Sequence, residues 1–402
     1  MAWRRGDTGQ ADIRKDEQGR AYCPVGIFEF PVGRRMQRTS FSLLLVMWLP
    51  LAYAAESRTE LEEKLPKAAL FQHLTDEVLL PLTDEFEAKA RALSASTQAF
   101  CSASGRANVE SVRTAWRQAQ AAWQPLEMLQ IGPIIDRRTQ RQVNAWPLRP
   151  TLIDPILNSA GPIDPARVED LGAAGKGLPA LEYLLFPQGK SSAEVTTALQ
   201  GNRCAVLQAL AAQVAKEAHG LSSDWRDPNG GFARQLKEAG QHSQEGVFAT
   251  TDQALSDIAN LLIAGLDSVK VRKLGKLLEK SGDAIDSDRI ESWRSASSLE
   301  NIRNNLRGFE AVFFGRGQQG VGLDDYLAGI GRPVLPRLVR EDLDTAMNAL
   351  AAIRSPMPRA LKEQRKQVES LHTAVTQLQR RMENDIADAL KVDLGFNAND
   401  GD

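Results

Sequence analysis

The sequence predicts an all-α protein built as two helical-bundle-like halves related by duplication. Three observations lead there. Only 6% of the 402 residues are aromatic, β-branched runs are few, and the strong helix formers Ala and Leu are plentiful. Apolar residues recur at three- and four-residue steps along most of the chain. The breaks between these stretches fall at clusters of Pro, Gly and Asn. With 43% hydrophobic and 25% charged residues the composition excludes a mainly disordered chain. A formal net charge of -2 argues against a nucleic-acid partner.

The first elements are not part of the fold. Residues 1–35 are a polar, Gly-rich, patternless lead and read as an upstream extension. From Met36 a basic start at Arg38, an apolar stretch from Phe41 to Leu51 and small residues at Ala52 and Ala54 have the layout of a secretory signal peptide over 36–54. The mature chain is then expected to begin at Ala55, to be more acidic than the whole, and to act in the periplasm, close to a membrane. The apolar stretch is shorter than the roughly 20 residues of a comfortable span, so an uncleaved anchor is the weaker alternative. Of three cysteines, Cys23 lies in the lead, leaving Cys101 and Cys204. In an oxidising compartment these predict one disulfide closing a loop of about 100 residues, the alternative being two separately buried thiols.

The first half spans 55–228. The pattern from Glu60 to about Ser102 carries Leu70, Phe71, Leu74, Val78 and Leu82 at helical steps, with Pro81 expected to kink or divide it. A second helix runs from Val109 to Ile131 with Val112, Trp116, Ala119 and Trp123 on one stripe, ended by Gly132-Pro133. Pro, Asn and Asp from Asp136 to Pro165 predict short turns and loops. Helix resumes at Gly177 to Phe186 and again from about Ala193 to Trp225. The cluster Asp227-Pro228-Asn229-Gly230-Gly231 is the candidate boundary. The second half, 229–402, holds helical patterns at Phe232 to Ala239, Thr251 to Val271, Leu299 to Phe314, Arg337 to Ala352 and Leu361 to Leu390. Glycines from Gly315 to Gly331 mark a loop. Trp116-Arg117 and Trp293-Arg294, each beside a comparable helix, suggest the duplication.

No familiar catalytic signature is present, and the four histidines, His73, His219, His242 and His372, are scattered. His73 has Asp76 and Glu77 at i+3 and i+4, which suits a divalent metal or a hydrogen-bonded pair, although a solvated polar face is the plainer reading. His242 and His372 are assigned to surface or packing. The segment Gly175 to Phe186 is denser in signal. Glycines followed by Pro179 make a helix start whose free amides attract anions. Glu182 then sits among Leu181, Leu184, Leu185 and Phe186, either facing solvent or buried with a partner.

Gly177-Leu178-Pro179-Ala180-Leu181-Glu182 resembles the Gly-x-His-x-x-Glu signature of the imelysin-like family, which includes the M75 peptidases and iron-regulated bacterial envelope proteins. Trp116 to Trp123, Ile131-Gly132-Pro133, Trp146-Pro147, and Glu291-Ser292-Trp293-Arg294-Ser295 leading into Leu306 to Phe314 agree with it in order. The resemblance covers essentially the whole mature chain. It implies an all-α fold of two duplicated halves, a site near the signature between them, and iron or another divalent metal as the candidate cofactor. Position 179 departs from the signature. Proline cannot ligate a metal or shuttle a proton, so the metal and peptidase roles of that histidine do not carry over.

The candidate ligand-binding residues are therefore Glu182, Gly177, Arg113, Arg117 and Arg294, with no catalytic residue assigned. The arginines are read either as lining a cleft beside Glu182 or as surface residues covering core tryptophans. The expected function is binding of a ligand or an envelope protein, linked to iron acquisition. A divergent M75-type metallopeptidase and a structural envelope protein are the alternatives.

Overall fold

Leu70, Phe71, Val78 and Phe86 are fully buried, and their spacing fixes how the first helical stretch of the computed structural model is built. The structure describes residues 14–15, 21–22, 65–102, 108–159, 163–241, 247–279, 286–317 and 319–392. The expected signal peptide, Cys23 and His242 lie outside them. The chain divides into two units, Met1–Glu56 and Ser57–Asp402. In the first, Arg14–Lys15 pairs antiparallel with Ala21–Tyr22. In the second, helices joined by turns and loops are the regular structure among the described residues.

Helix α1 (Lys67–His73) runs through a π-helical turn, Leu74–Leu79, directly into α2 (Leu80–Ser102). The wider turn precedes Pro81, whose missing N–H the helix must tolerate. The expected kink is thus a π-turn and the helix is not divided. Helix α3 (Val109–Glu127) starts where the Asn108 side chain accepts from the Glu110 amide, with Glu110 favourably placed in the positive first turn. It buries Val112, Trp116, Ala119 and Trp123, the predicted stripe, and Trp123 lies 5.3 Å from the Phe86 ring on α2. The helix stops before Ile131, the predicted end.

Short helices Pro133–Asp136, Thr139–Val143, Pro150–Leu157 and Pro165–Glu169 follow, then α4 (Gly177–Leu185) and the short helix Ser192–Ala198. Gly201 at φ +51 separates the latter from α5 (Asn202–Arg226), so the single helix expected from Ala193 to Trp225 is two. Helix Phe232–Lys237 leads to α6 (Thr251–Ser268), which passes into a π-helical stretch, Val269–Gly275. Then come α7 (Ser298–Phe314), α8 (Val334–Ala351), Met357–Glu363 and α9 (Arg365–Arg381).

The loop expected across Gly315 to Gly331 contains a helix, Leu323–Gly329. Leu323, Tyr326 and Leu327 are buried at helical spacing and the Asp325 carboxylate accepts from the Gly322 amide, so a local cap and an apolar face outweigh the glycines on either side. Cys101, at the end of α2, is bonded to Cys204, in the first turn of α5, with Cα atoms 5.8 Å apart. The single disulfide predicted from the cysteine count is present. No described helix is long and apolar enough to cross a membrane.

Helices α3 and α7 pack face to face. Gly308 on α7 lies so close to Pro125 on α3 that a Cβ there would be 2.7 Å from the Pro125 Cα. That close approach presses the polar faces of the two helices together and sets up the site beside them.

Candidate functional site

Helix α4 can begin only with glycine. Gly177 sits at φ +73, and a Cβ on it would be 2.4 Å from the carbonyl oxygen of Val143. The indole N–H of Trp116 donates to Leu178 O at 2.9 Å, tying the start of α4 to α3. At the other end, Arg113 Nε donates to Leu185 O at 2.7 Å, satisfying a carbonyl that the helix leaves over. The same guanidinium pairs with Glu110 at 2.6 Å and Ser192 at 2.9 Å. Arg113 and Arg117 both lie over the Phe186 ring, at 5.1 and 4.8 Å.

About one and a half helical turns from Gly177, α4 turns Glu182 inward, where it is 4% exposed. Its Oε1 accepts two hydrogen bonds, from the backbone N–H and the hydroxyl of Ser295, each 2.8 Å. Burial pushes this carboxyl up to about 7, with the negative Glu291 adding to the rise, against the two Ser295 hydrogen bonds and the positive charge of Arg294. Ser295 belongs to the segment 286–297, in which Ser292 and Ala296 hold positive φ values of 50 and 58°, costly backbone for non-glycine residues. Ser298 Oγ donating to Glu291 O and Asn301 Nδ2 donating to Ser292 Oγ help hold it. Arg294 is paired with Asp288 at 3.0 Å and lies over the rings of Trp293, 4.4 Å, and Tyr183, 5.4 Å.

These residues enclose a small pocket. Asn144, Trp146, Pro179, Glu182, Asp288, Glu291, Ser292, Trp293 and Arg294 line it, and it offers about 20 Å³, room for one or two waters or one small polar group. Of the residues singled out in the sequence, Glu182 and Arg294 face it together and Gly177 shapes the helix that carries Glu182. Arg113 and Arg117 do not line it; they sit at the far end of α4, packed on Phe186. His73 shares a hydrogen bond with Glu77 at 2.7 Å while Asp76 pairs with Lys237 at 3.0 Å. His219 pairs with Glu87, and His372 is half-buried beside Lys270, its imidazole pushed down by burial and that charge.

Behind the pocket lies a buried ionic network that the sequence reading did not find. The ammonium of Lys273, on the π-helical stretch after α6, is 2.5 Å from Glu127, 2.7 Å from Gln124 Oε1, 2.9 Å from Asn305 Oδ1 and 2.8 Å from Glu291 Oε2. Burial opposes its charge, but the two carboxylates outweigh burial and hold its pKa above the ordinary value. Glu291 is likewise buried, and Lys273 with the amide of Asn144, 2.7 Å away, keeps it below the usual carboxylate range. A signal did exist: Gln120, Gln124 and Glu127 recur at i, i+4 and i+7 on α3, and Asn301, Asn305 and Gly308 do so on α7. Polar residues at helical spacing beside a tryptophan stripe mark a buried polar contact between helices.

A family model described as imelysin, peptidase M75, matches residues 81–382. The chain belongs to the imelysin family. Iron-regulated protein A of Synechococcus elongatus is 27% identical over 319 residues, covering 78% of this chain and 84% of that protein. Two crystal structures share the fold: an iron-regulated protein A precursor from Parabacteroides distasonis, at 19% identity, TM-score 0.69 and coverage of 81% and 94% of the two chains, and an imelysin-like protein from Psychrobacter arcticum, at 16%, 0.66, and 82% and 97%.

The donor set does not fit a resident transition metal. Where the imelysin signature has histidine, this chain places the prolyl ring of Pro179 in the pocket wall. Glu182 spends one oxygen on Ser295, and Glu291 is held by Lys273. No group of three His, Cys, Asp or Glu side chains converges among the described residues.

Proposed function

We propose that this imelysin-family protein is an exported, periplasmic binding protein. It takes up a ligand or an envelope partner at the Glu182–Arg294 pocket, in a role linked to iron supply, and it does not act as a peptidase. The observation that carries this reading is the pairing of Pro179 with Glu182: the pocket keeps the signature's carboxyl and lacks its imidazole. A buried carboxyl poised near neutrality, beside a guanidinium stacked on two aromatic rings, suits reversible recognition of a small polar group. The link to iron is supported by the name of the Synechococcus relative, iron-regulated protein A. Export is supported by the signal-like segment 36–54 and by the Cys101–Cys204 bridge, which persists best in an oxidising compartment.

The discriminating experiment is a hydrolysis assay on the mature, disulfide-bonded chain with varied peptide substrates and added zinc, manganese or iron. The proposal expects no turnover above background. Turnover that disappears in Glu182→Gln would overturn it in favour of a divergent metallopeptidase.

A further inference from the structure

Glu291 sits between two sets of oxygen acceptors that differ in one respect. On one side Glu127, Gln124 Oε1 and Asn305 Oδ1 gather with Glu291 around the Lys273 ammonium at 2.5–2.9 Å. On the pocket side lie Glu182, whose Oε2 takes neither Ser295 hydrogen bond, and Asn144. The Asn144 side chain is 1% exposed, its amide N–H₂ is committed to Glu291, and its Oδ1 accepts no hydrogen bond from the protein. A buried acceptor left without a donor is unfavourable, and a donor brought by a ligand relieves it. Lys273 offsets Glu291, Asp288 engages Arg294, and Arg272 lies over the Trp146 ring at 5.1 Å, so the charge left to balance among the lining residues is that of Glu182.

The Glu182 carboxylate and the unfilled Asn144 acceptor call for a compact cation with several N–H donors. We propose that the pocket binds the ammonium group of a small primary amine, received by Glu182 and Asn144 Oδ1 between Trp146 and Trp293, as the neighbouring cage receives Lys273. This inference rests on the pocket reading above and names its ligand class. One further buried group refines that class: Trp146 Nε1 donates to nothing in the protein, so an amine carrying an adjacent hydroxyl oxygen fills the site better than a bare one. The pocket's volume of about 20 Å³ accommodates an ammonium group, so the rest of the molecule lies outside it.

The test follows the Trp146 indole N–H resonance, assigned with a Trp146→Phe variant, in the mature disulfide-bonded chain while methylammonium, ethanolamine, acetate and acetamide are titrated separately. Ethanolamine is expected to shift the signal at lower concentration than methylammonium, and acetate and acetamide to leave it in place. Because the Glu182 carboxyl titrates at about 7, amine affinity should rise about tenfold between about pH 6 and pH 8, and a folded Glu182→Gln variant should lose that rise. A response to acetate or acetamide but not to the amines overturns the cation assignment and leaves the pocket reading standing. Amine binding that ignores both pH and Glu182 also overturns it. Silence toward all four probes takes the pocket reading down with it.

Discussion

Glu182 is a carboxyl group that the fold keeps near the midpoint of its titration, and this has a thermodynamic signature of known sign. Its pKa rises from 4.5 to about 7 on folding, so folding takes up a proton between those values. The contribution of this group to stability is therefore greatest below about pH 4.5 and falls by about 3 kcal/mol as pH climbs to 7. The difference in urea-unfolding free energy between wild type and Glu182→Gln should trace that fall across the same window; a difference independent of pH would show that Glu182 is not buried as described. At position 179 the exchange runs the other way. Pro179→His puts an imidazole three residues before Glu182, and a gain of about tenfold or more in zinc affinity by calorimetry is expected. At this scale the sequence was informative about Glu182 but left open whether it faced solvent or the interior, because helical spacing gives a face and not what covers it. Arg113 and Arg117 stood in the right helix for a site residue, yet they reach the carboxyl end of α4 and the Phe186 ring. Nothing local to α3 tells which end of a partner helix it meets.

At the scale of elements, the start of α4 depends on one backbone position and the α3–α7 contact on one ammonium. Gly177→Ala must both hold φ +73 and push against Val143 O, and a loss of about 2–4 kcal/mol is expected. Gly189→Ala is the control, since Gly189 has φ +71 but open space where its Cβ would go, and it should cost only about 1 kcal/mol. Equal losses in chemical denaturation would remove the steric argument. Lys273→Met leaves Glu127 and Glu291 buried with no counter-charge, a change worth about 3–5 kcal/mol. The loss should shrink on acidification as those carboxylates take up protons, and a pH-independent loss would contradict the ionic account. Helix positions were largely legible because apolar periodicity is a local property. The helix Leu323–Gly329 was hidden by glycines at 315–331, and the Gln and Asn ladders of α3 and α7 were hidden because only packing makes a surface-type residue a core one.

For the molecule as a whole, the ties are those between segments distant in sequence. The Cys101–Cys204 bond closes a loop with a sequence separation of 103, and on the chain-entropy model it contributes about 4–5 kcal/mol. Reduction, or Cys101→Ser with Cys204→Ser, should therefore lower the melting temperature by several degrees, read by differential scanning fluorimetry with and without reductant. An unchanged melting temperature would mean that the bridge is absent in the purified protein. The cysteine count made this bond readable without any structure, since only two cysteines follow the lead. The site was less readable, because Glu182, Ser295, Asn144 and Lys273 come from four separate stretches of chain.

The central claim is that an imelysin chain with proline in its signature carries a metal-free binding pocket. The measurement that tests it most directly is metal per chain, by elemental mass spectrometry, on the protein expressed from Met36 and purified without chelators, beside Glu182→Gln. The account predicts transition metal far below one equivalent in both proteins. One equivalent in the wild type, lost in the variant, would contradict it.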